Sequence, residues 1–375
     1  MKKFLISLMC ILLSVLLFIF IGISPKVEET QPVPLDTEKL LGNYDVPNLR
    51  GTSINGYNWG EYVADGSDGT VDVVKEFENL TGITVNYTMF AANEDLYAKL
   101  KAGGVSYDVI FPSDYMIARM IDEDLLAPIH FENISNYQFV PENFKNLYFD
   151  PQNAYSVPYT GGMVGIIYNT KMVTEKPDSW SIMWDETYQD NILNFNNPRD
   201  AFATAQFLLG YSVNSENLQE WEHAAEKLIE QKPIIQSYVM DEVFVKMESG
   251  EAAIAPYYAG DFLAMSDVNP DLAFTYPKEG TNIFVDSMCI PKQSKHQEAA
   301  ELFINFMCEP EVALQNAEYL CYLCPNMAVL DDERYSYKDN EVLYPTENIP
   351  TEYFYNLDPE TLEFLFSLWE KLKLA

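Results

Sequence analysis

"GTVDVVKEFENLTGITVNYTMFAANEDLYAKLKAGGVSYDVIFP", residues 69–112, decides the fold. Val71, Val74, Phe77 and Leu80 fall on one helical stripe that stops at Gly82, and "ITVNYTMF" then alternates as a strand. "ANEDLYAKLKAGG" repeats the helical pattern, "YDVIFP" reads as a buried strand, and "SDYMIARMIDEDL" opens another helix on a capping serine or aspartate. Strands alternating with helices imply an α/β fold with a mostly parallel sheet.

A second set follows. "YSVPYTGGMVGIIYN" (155–169) reads as strands, and "NPRDAFATAQFLLGYSV" (197–213) as a helix opened by Asn197 with Pro198 at its first position. The helix "SENLQEWEHAAEKLIEQ", the segment "VFVKMESGEAAIAPYYAGDF" and the strand "IFVDSMCIP" come next, and "DPETLEFLFSLWEKLK" closes the chain as a helix. No short repeat is visible, which argues against a solenoid. The 375 residues, 48% hydrophobic, suit about two domains.

Composition excludes some functions. A formal charge of −34, from 57 acidic against 23 basic residues, leaves too few cations for phosphate contacts, so no nucleic-acid partner is expected. Acidic residues that merely keep the surface solvated are the plain reading of most of that charge. Lys2 and Lys3 precede an apolar run from Phe4 to Ile23, about the length that spans a bilayer core, so residues 1–25 read as an export signal that is either cleaved or kept as an anchor. Lysines inside place the rest of the chain outside the cytoplasm. "SLMC" lacks the small residues expected before a lipidated Cys10. Residues 26–49, rich in Pro, Glu and Thr, read as a tether.

Cys289, Cys308, Cys321 and Cys324 allow a disulfide outside the cell, but small apolar core thiols are the simpler reading. His130, His223 and His296 show no ligand spacing, so no metal is expected and no cofactor is implied. The chain carries no G-x-S-x-G, phosphate loop or H-E-x-x-H, and no enzyme is expected. A glycosidase working with paired carboxylates remains an alternative, because sequence does not measure their separation.

Aromatic residues make up 14% of the chain, and several stand beside acids at expected strand ends: "YNWGEY", "PSDYM", "YYAGD" and "IFVDS". In open α/β sheets ligands bind at the carboxyl ends of strands. Rings beside carboxylates suit an organic cation with an apolar stem.

The residues resemble the spermidine/putrescine-binding proteins of ABC-type polyamine importers. The likeness runs through "YNWGEY", "FENLTGITVNY", "NEDLYAKLKAG", "YDVIFPSDYM", "YSVPYTGGMVGIIYN", "YPKEGTNIFVDSMCIP" and "AAELFINFMCEPEVA", in that order. It implies a monomeric, extracytoplasmic, two-lobed protein of the type II Venus-flytrap kind, each lobe a mixed sheet flanked by helices, with the ligand cleft between the lobes. Such a protein closes on a polyamine and presents it to a membrane permease. By position, Trp59 and Tyr62 match a first aromatic motif, Ser113 and Tyr115 a second, and Asp200 an amine-binding carboxylate. Tyr257 matches an aromatic wall residue, Asp261 an acid of putrescine-type members, Phe284 and Asp286 an aromatic–acid pair, and Tyr322 a late aromatic; Glu61 is an added contact. Asn197 stands where an aspartate is expected, Gly60 replaces a hydroxyl-bearing residue, and Tyr257 and Phe284 replace tryptophans, which leaves the choice of polyamine open.

Structural roles compete at each position. Asn197 and Asp200 suit a helix cap, Trp59, Tyr62 and Phe284 suit a core, Ser113 suits a helix start, and Asp286 suits a turn. The expected division places 50–160 with 285–331 in lobe 1, and 161–284 with 332–375 in lobe 2. A receptor for another organic cation, a peptide or a sugar is the alternative within the binding class.

Overall fold

The computed structural model describes Leu35 and residues 37–67 and 69–375. The apolar run of residues 4–23 lies outside the described residues, among which no helix is long and apolar enough to cross a membrane.

Ten strands form one curled sheet: β1 (Ser53–Trp59), β2 (Thr84–Phe90), β3 (Val109–Ile110), β4 (Ser156–Asn169), β5 (Ile192–Phe195), β6 (Ile235–Val239), β7 (Ile254–Tyr258), β8 (Leu272–Thr275), β9 (Thr281–Cys289) and β10 (Thr351–Tyr353). Their order is β2-β1-β3-β9-β4-β7-β5-β6, with β10 on β9 and β8 on β4. The wings are parallel, as the helix–strand alternation requires: β1 pairs with β2 and β3, and β5 with β6 and β7. The centre is antiparallel, because β4 and β9 run against each other and against β7, β8 and β3. The sheet is therefore mixed, not mostly parallel.

Stretch 155–169 is one strand, not several, and it crosses the molecule. Ser156–Met163 pairs with β9, and Val164–Tyr168 with β7. Two cores result. One joins Leu35–Tyr159 to Met288–Val312, with Phe77, Phe303 and Phe306 packed ring to ring. The other joins Val164–Leu272 to Leu343 and Phe354. The two-lobed α/β class expected from the sequence is the observed architecture, and the lobes are joined through β4 and β9. The 321–324 segment is tied to the crossing, since Leu323 and Gly161 exchange backbone hydrogen bonds at 2.9 and 3.3 Å.

Local chemistry explains the element ends. Asp72 caps the helix Val73–Thr81 by accepting from the Lys75 amide at 2.8 Å, and Gly82 ends it at φ 69°, the left-handed conformation that costs glycine least. The "YDVIFP" strand shrinks to Val109–Ile110, since Pro112 offers no amide to extend the ladder.

Part of the expected tether is built into lobe 1. Thr37–Tyr44 is a helix, and Leu35, Leu40 and Tyr44 are buried in the lobe 1 core. The Tyr44 ring meets Phe306 edge-on at 5.2 Å, and its hydroxyl accepts from Asn136 at 3.2 Å. Overall polarity hid this, because Leu40 and Tyr44, one helical turn apart, are enough to dock so short a helix.

The four described cysteines are buried free thiols, and burial pushes those of Cys308 and Cys324 up to about 12. They behave as apolar core residues.

Candidate functional site

Where β9 passes from lobe 2 into lobe 1 it presents Phe284 and then Asp286. Asp286 is 4% exposed, and its Oδ2 accepts from the Tyr62 hydroxyl at 2.6 Å. Oδ1 is buried without a well-aligned partner, and the Ser113 hydroxyl is the polar group beside the carboxylate. Burial raises this carboxyl to about 6, against the Tyr62 hydrogen bond that pulls it back.

Two further carboxylates stand in the first turns of lobe 2 helices, where the helix dipole favours negative charge. Asp200 follows Asn197 and Pro198 at the start of Pro198–Leu209; Asn197 caps that helix by accepting from the Arg199 amide at 3.0 Å. Asp200 accepts from the Tyr258 hydroxyl at 3.1 Å and lies 3.5 Å from the Asn282 amide, and burial pushes it up to about 6. Asp261 opens the helix Ala259–Val268 within hydrogen-bonding reach of the Tyr322 hydroxyl, and burial pushes it up to about 7.

Each carboxylate is thus matched to one tyrosine, and those tyrosines are linked by a wall of edge-on rings. Tyr62 meets Tyr322 at 6.3 Å, Tyr322 meets Phe284 at 6.0 Å, and Phe284 meets Tyr258 at 5.7 Å. Burial and the adjacent carboxylates hold the Tyr62, Tyr258 and Tyr322 hydroxyls protonated, well above their ordinary range. Gly162 gives the wall its room: a Cβ there would lie 2.8 Å from Phe284 Cζ and 3.0 Å from Tyr322 Cδ1. Among the described residues, no Lys or Arg forms an ion pair with Asp200, Asp261 or Asp286.

Of the residues singled out from the sequence, Tyr62, Asp200, Asp261, Phe284, Asp286 and Tyr322 come together here. Ser113 joins them through a backbone bridge to Asp286. Asn93 holds Ser113 and Tyr115 together, donating to their hydroxyls at 3.0 and 3.2 Å, while Tyr115 donates to Glu94 at 3.1 Å. Trp59 is half-buried at the end of β1, its Nε1 donating to the Phe111 carbonyl at 2.9 Å and its ring 4.4 Å from Phe90. Glu61 is exposed, in a left-handed turn at φ 49°, and bonds to none of the three carboxylates.

Tyr257 is packed in the lobe 2 core, stacked on Phe195 at 5.4 Å and edge-on to Phe244 at 6.4 Å. Its neighbour Tyr258, edge-on to it at 5.1 Å and 5.6 Å from Phe195, donates to Asp200 and meets Phe284 in the wall. Asn282 and Asn93 were also not singled out from the sequence; no motif marks them.

The arrangement offers two buried acceptors, Asp200 and Asp286, and the part-buried Asp261 beside an apolar aromatic face. It is equipped to hold a molecule with separated cationic donors and an apolar stem, and it shows no nucleophile–base pair.

Comparison with known proteins places this geometry. Residues 72–343 match the family described as bacterial extracellular solute-binding protein. The spermidine/putrescine-binding periplasmic protein of Salmonella typhimurium is 32% identical over 291 residues, covering 77% of this chain and 82% of that protein. The crystal structure of the spermidine/putrescine ABC transporter substrate-binding protein PotD from Streptococcus pneumoniae is 35% identical, with a TM-score of 0.76 over 86% of this chain and 99% of that one. The TpPotD lipoprotein of Treponema pallidum is 27% identical, also with a TM-score of 0.76, over 86% and 100% of the two chains. With a family match over most of its length and relatives above 30% identity, the chain belongs to the bacterial extracellular solute-binding proteins.

Proposed function

We propose that the chain is an extracytoplasmic polyamine-binding protein that delivers its ligand to an ABC-type import permease. The observation that carries this reading is the set Asp200, Asp261 and Asp286: two buried carboxylates and one part-buried, none ion-paired although Arg199 is an electrostatic neighbour of Asp200, each matched to a tyrosine of one aromatic wall. A buried charge is costly until it is paired. An ammonium at each end of an aliphatic diamine supplies the pairing, and its methylenes cover the rings. A neutral sugar leaves the carboxylates unpaired, so the geometry favours a cation. Relatives named for spermidine and putrescine support the same choice.

The site residues proposed are Tyr62, Ser113, Asp200, Tyr258, Asp261, Phe284, Asp286 and Tyr322, with Trp59, Tyr115 and Asn197 at the margin. The proposed lobe limits fall near residues 160 and 284, on β4 and β9, and near residue 331, after the short helix Met327–Leu330. Binding is the proposed activity, without turnover, and the protein acts as a monomer.

Thermal shift tests the reading on the full chain in detergent. A ligand at about 100 times its Kd adds about 2.7 kcal/mol of stability when it binds only the folded state. Putrescine, cadaverine, spermidine or spermine at millimolar concentration should raise Tm, whereas glucose, maltose and free amino acids should leave it unchanged. A rise with sugars and none with polyamines overturns the reading.

Residues 4–23 are proposed to retain the protein at the membrane, because the run is long enough to span a bilayer and lacks a small-residue cleavage site. Expected is a membrane-fraction pool whose N-terminal sequence begins at Met1. A fully soluble product with one start after Ser24 counts against it.

A further inference from the structure

The lobes also meet at the Tyr353–Tyr355 strap. The backbone of Tyr353–Tyr355, where β10 ends, is held from both sides. From lobe 2, Asn214 donates to the Tyr353 carbonyl and accepts from the Tyr355 amide, both at 2.7 Å. From lobe 1, the Tyr148 hydroxyl donates to the Phe354 carbonyl at 2.6 Å, and its ring lies 5.3 Å from Tyr353 and 4.5 Å from Tyr355. Tyr148 is itself packed against the lobe 1 core beside Phe149.

Arg199 links this junction to the cleft. Its Nη1 donates to the Tyr355 carbonyl at 3.1 Å, its Nη2 donates to Asn214 at 3.1 Å, and its guanidinium lies 4.5 Å from the Phe354 ring. Nε is buried without a partner. The electrostatic neighbours of the guanidinium include Tyr115, Tyr148 and Asp114 from lobe 1, and Asp200, which is the next residue on the helix.

We propose that Tyr148 and Asn214 clamp the Tyr353–Tyr355 backbone into a latch that holds the closed cleft, and that Arg199 is a positioning residue that couples the latch to Asp200. The proposal rests on the reading of the cleft as a binding site that closes. Neither Tyr148 nor Asn214 needs to touch the ligand. In a receptor that samples its closed form before capture and is held in it afterwards, bonds present in the closed form chiefly slow release.

Stopped-flow tryptophan fluorescence on the full chain in detergent tests this with Tyr148→Phe and Asn214→Ala, using putrescine and spermidine. The loss of one or two hydrogen bonds should raise koff about 3- to 10-fold, with a smaller change in kon and the same factor for both polyamines. Unchanged koff overturns the latch. So does a factor that differs between the two polyamines, which would mean direct ligand contact, or a lowered ligand-free Tm with normal release, which would mean a purely structural role. Hydrogen exchange of the ligand-free protein keeps the latch separate from the polyamine reading. Tyr148→Phe retains the ring and Asn214, yet should speed exchange at the Tyr355 amide. If the parent binds no polyamine, the functional reading fails and this exchange alone decides: unchanged protection overturns the latch.

Discussion

Replacing Asp286 with asparagine should weaken polyamine binding by about two to three and a half orders of magnitude, the roughly 3 to 5 kcal/mol that breaking a buried charge pair costs. The side chain is buried, Tyr62 occupies one carboxylate oxygen at 2.6 Å, and the other has no well-aligned partner. The ammonium of a polyamine is the donor proposed for it. Asparagine keeps the shape and still accepts from Tyr62, so the fold should survive: removing a buried, unpaired charge leaves ligand-free stability unchanged or raises it. Calorimetric titration of the full chain measures the affinity, and ligand-free Tm is the control. If Asp286→Asn binds as tightly as the parent but melts earlier, the carboxylate serves the turn and not the ligand.

How far the sequence revealed the fold depended on whether local pattern or long-range pairing set each element. The Val73–Thr81 helix was readable because its stripe, its Asp72 cap and its Gly82 stop agree. β4 was not readable as one strand, since all fourteen of its residues are buried and no period-2 alternation survives. Its antiparallel run against β9 comes from residues more than a hundred positions away, which no local window sees. The helix at Thr37–Tyr44 was masked in the opposite way: a polar, Pro-rich neighbourhood hid the few apolar contacts that dock it.

The site was legible to the extent that acids and rings stand side by side in the chain. "IFVDS" and "YYAGD" put Phe284 with Asp286, and Tyr258 with Asp261, into one cleft. Choosing between Tyr257 and Tyr258 required the register of β7, where Gly165 faces Tyr257 and Val164 faces Tyr258. Both faces of this strand are covered, so hydrophobicity does not tell core from wall. Arg199 was invisible as a functional residue, because a cation beside Asp200 looks like an ordinary ion pair until its hydrogen bonds are seen to run to the 353–355 strap and Asn214.

Polyamine affinity should fall steeply as pH drops from 8 to 5. Burial raises Asp200 and Asp286 to about 6 and Asp261 to about 7 in the ligand-free protein, above the unfolded carboxyl value of about 4. A raised carboxyl pKa lends the folded state a stability that is fully present below about pH 4 and is lost as pH rises through about 6 and 7. At neutral pH the empty cleft therefore holds carboxylates ionised against burial, and a cation relieves that cost. Amines of this kind stay protonated to about pH 10, so the titrating partners in this window are the carboxyls. Each carboxyl that must be ionised weakens binding about ten-fold per pH unit below its own pKa. Between pH 8 and pH 5 the loss is on the order of a hundred-fold when Asp200 and Asp286 are engaged, and of ten-thousand-fold when Asp261 is engaged too. Titration calorimetry at pH 6 in buffers of different ionisation enthalpy should show protons released on binding. Asp286→Asn should flatten the pH profile by one carboxyl's share, and the ligand-induced rise in Tm should grow with pH. A Kd that stays flat from pH 5 to 8, or tightens at low pH, would mean that these three carboxylates are not what holds the ligand.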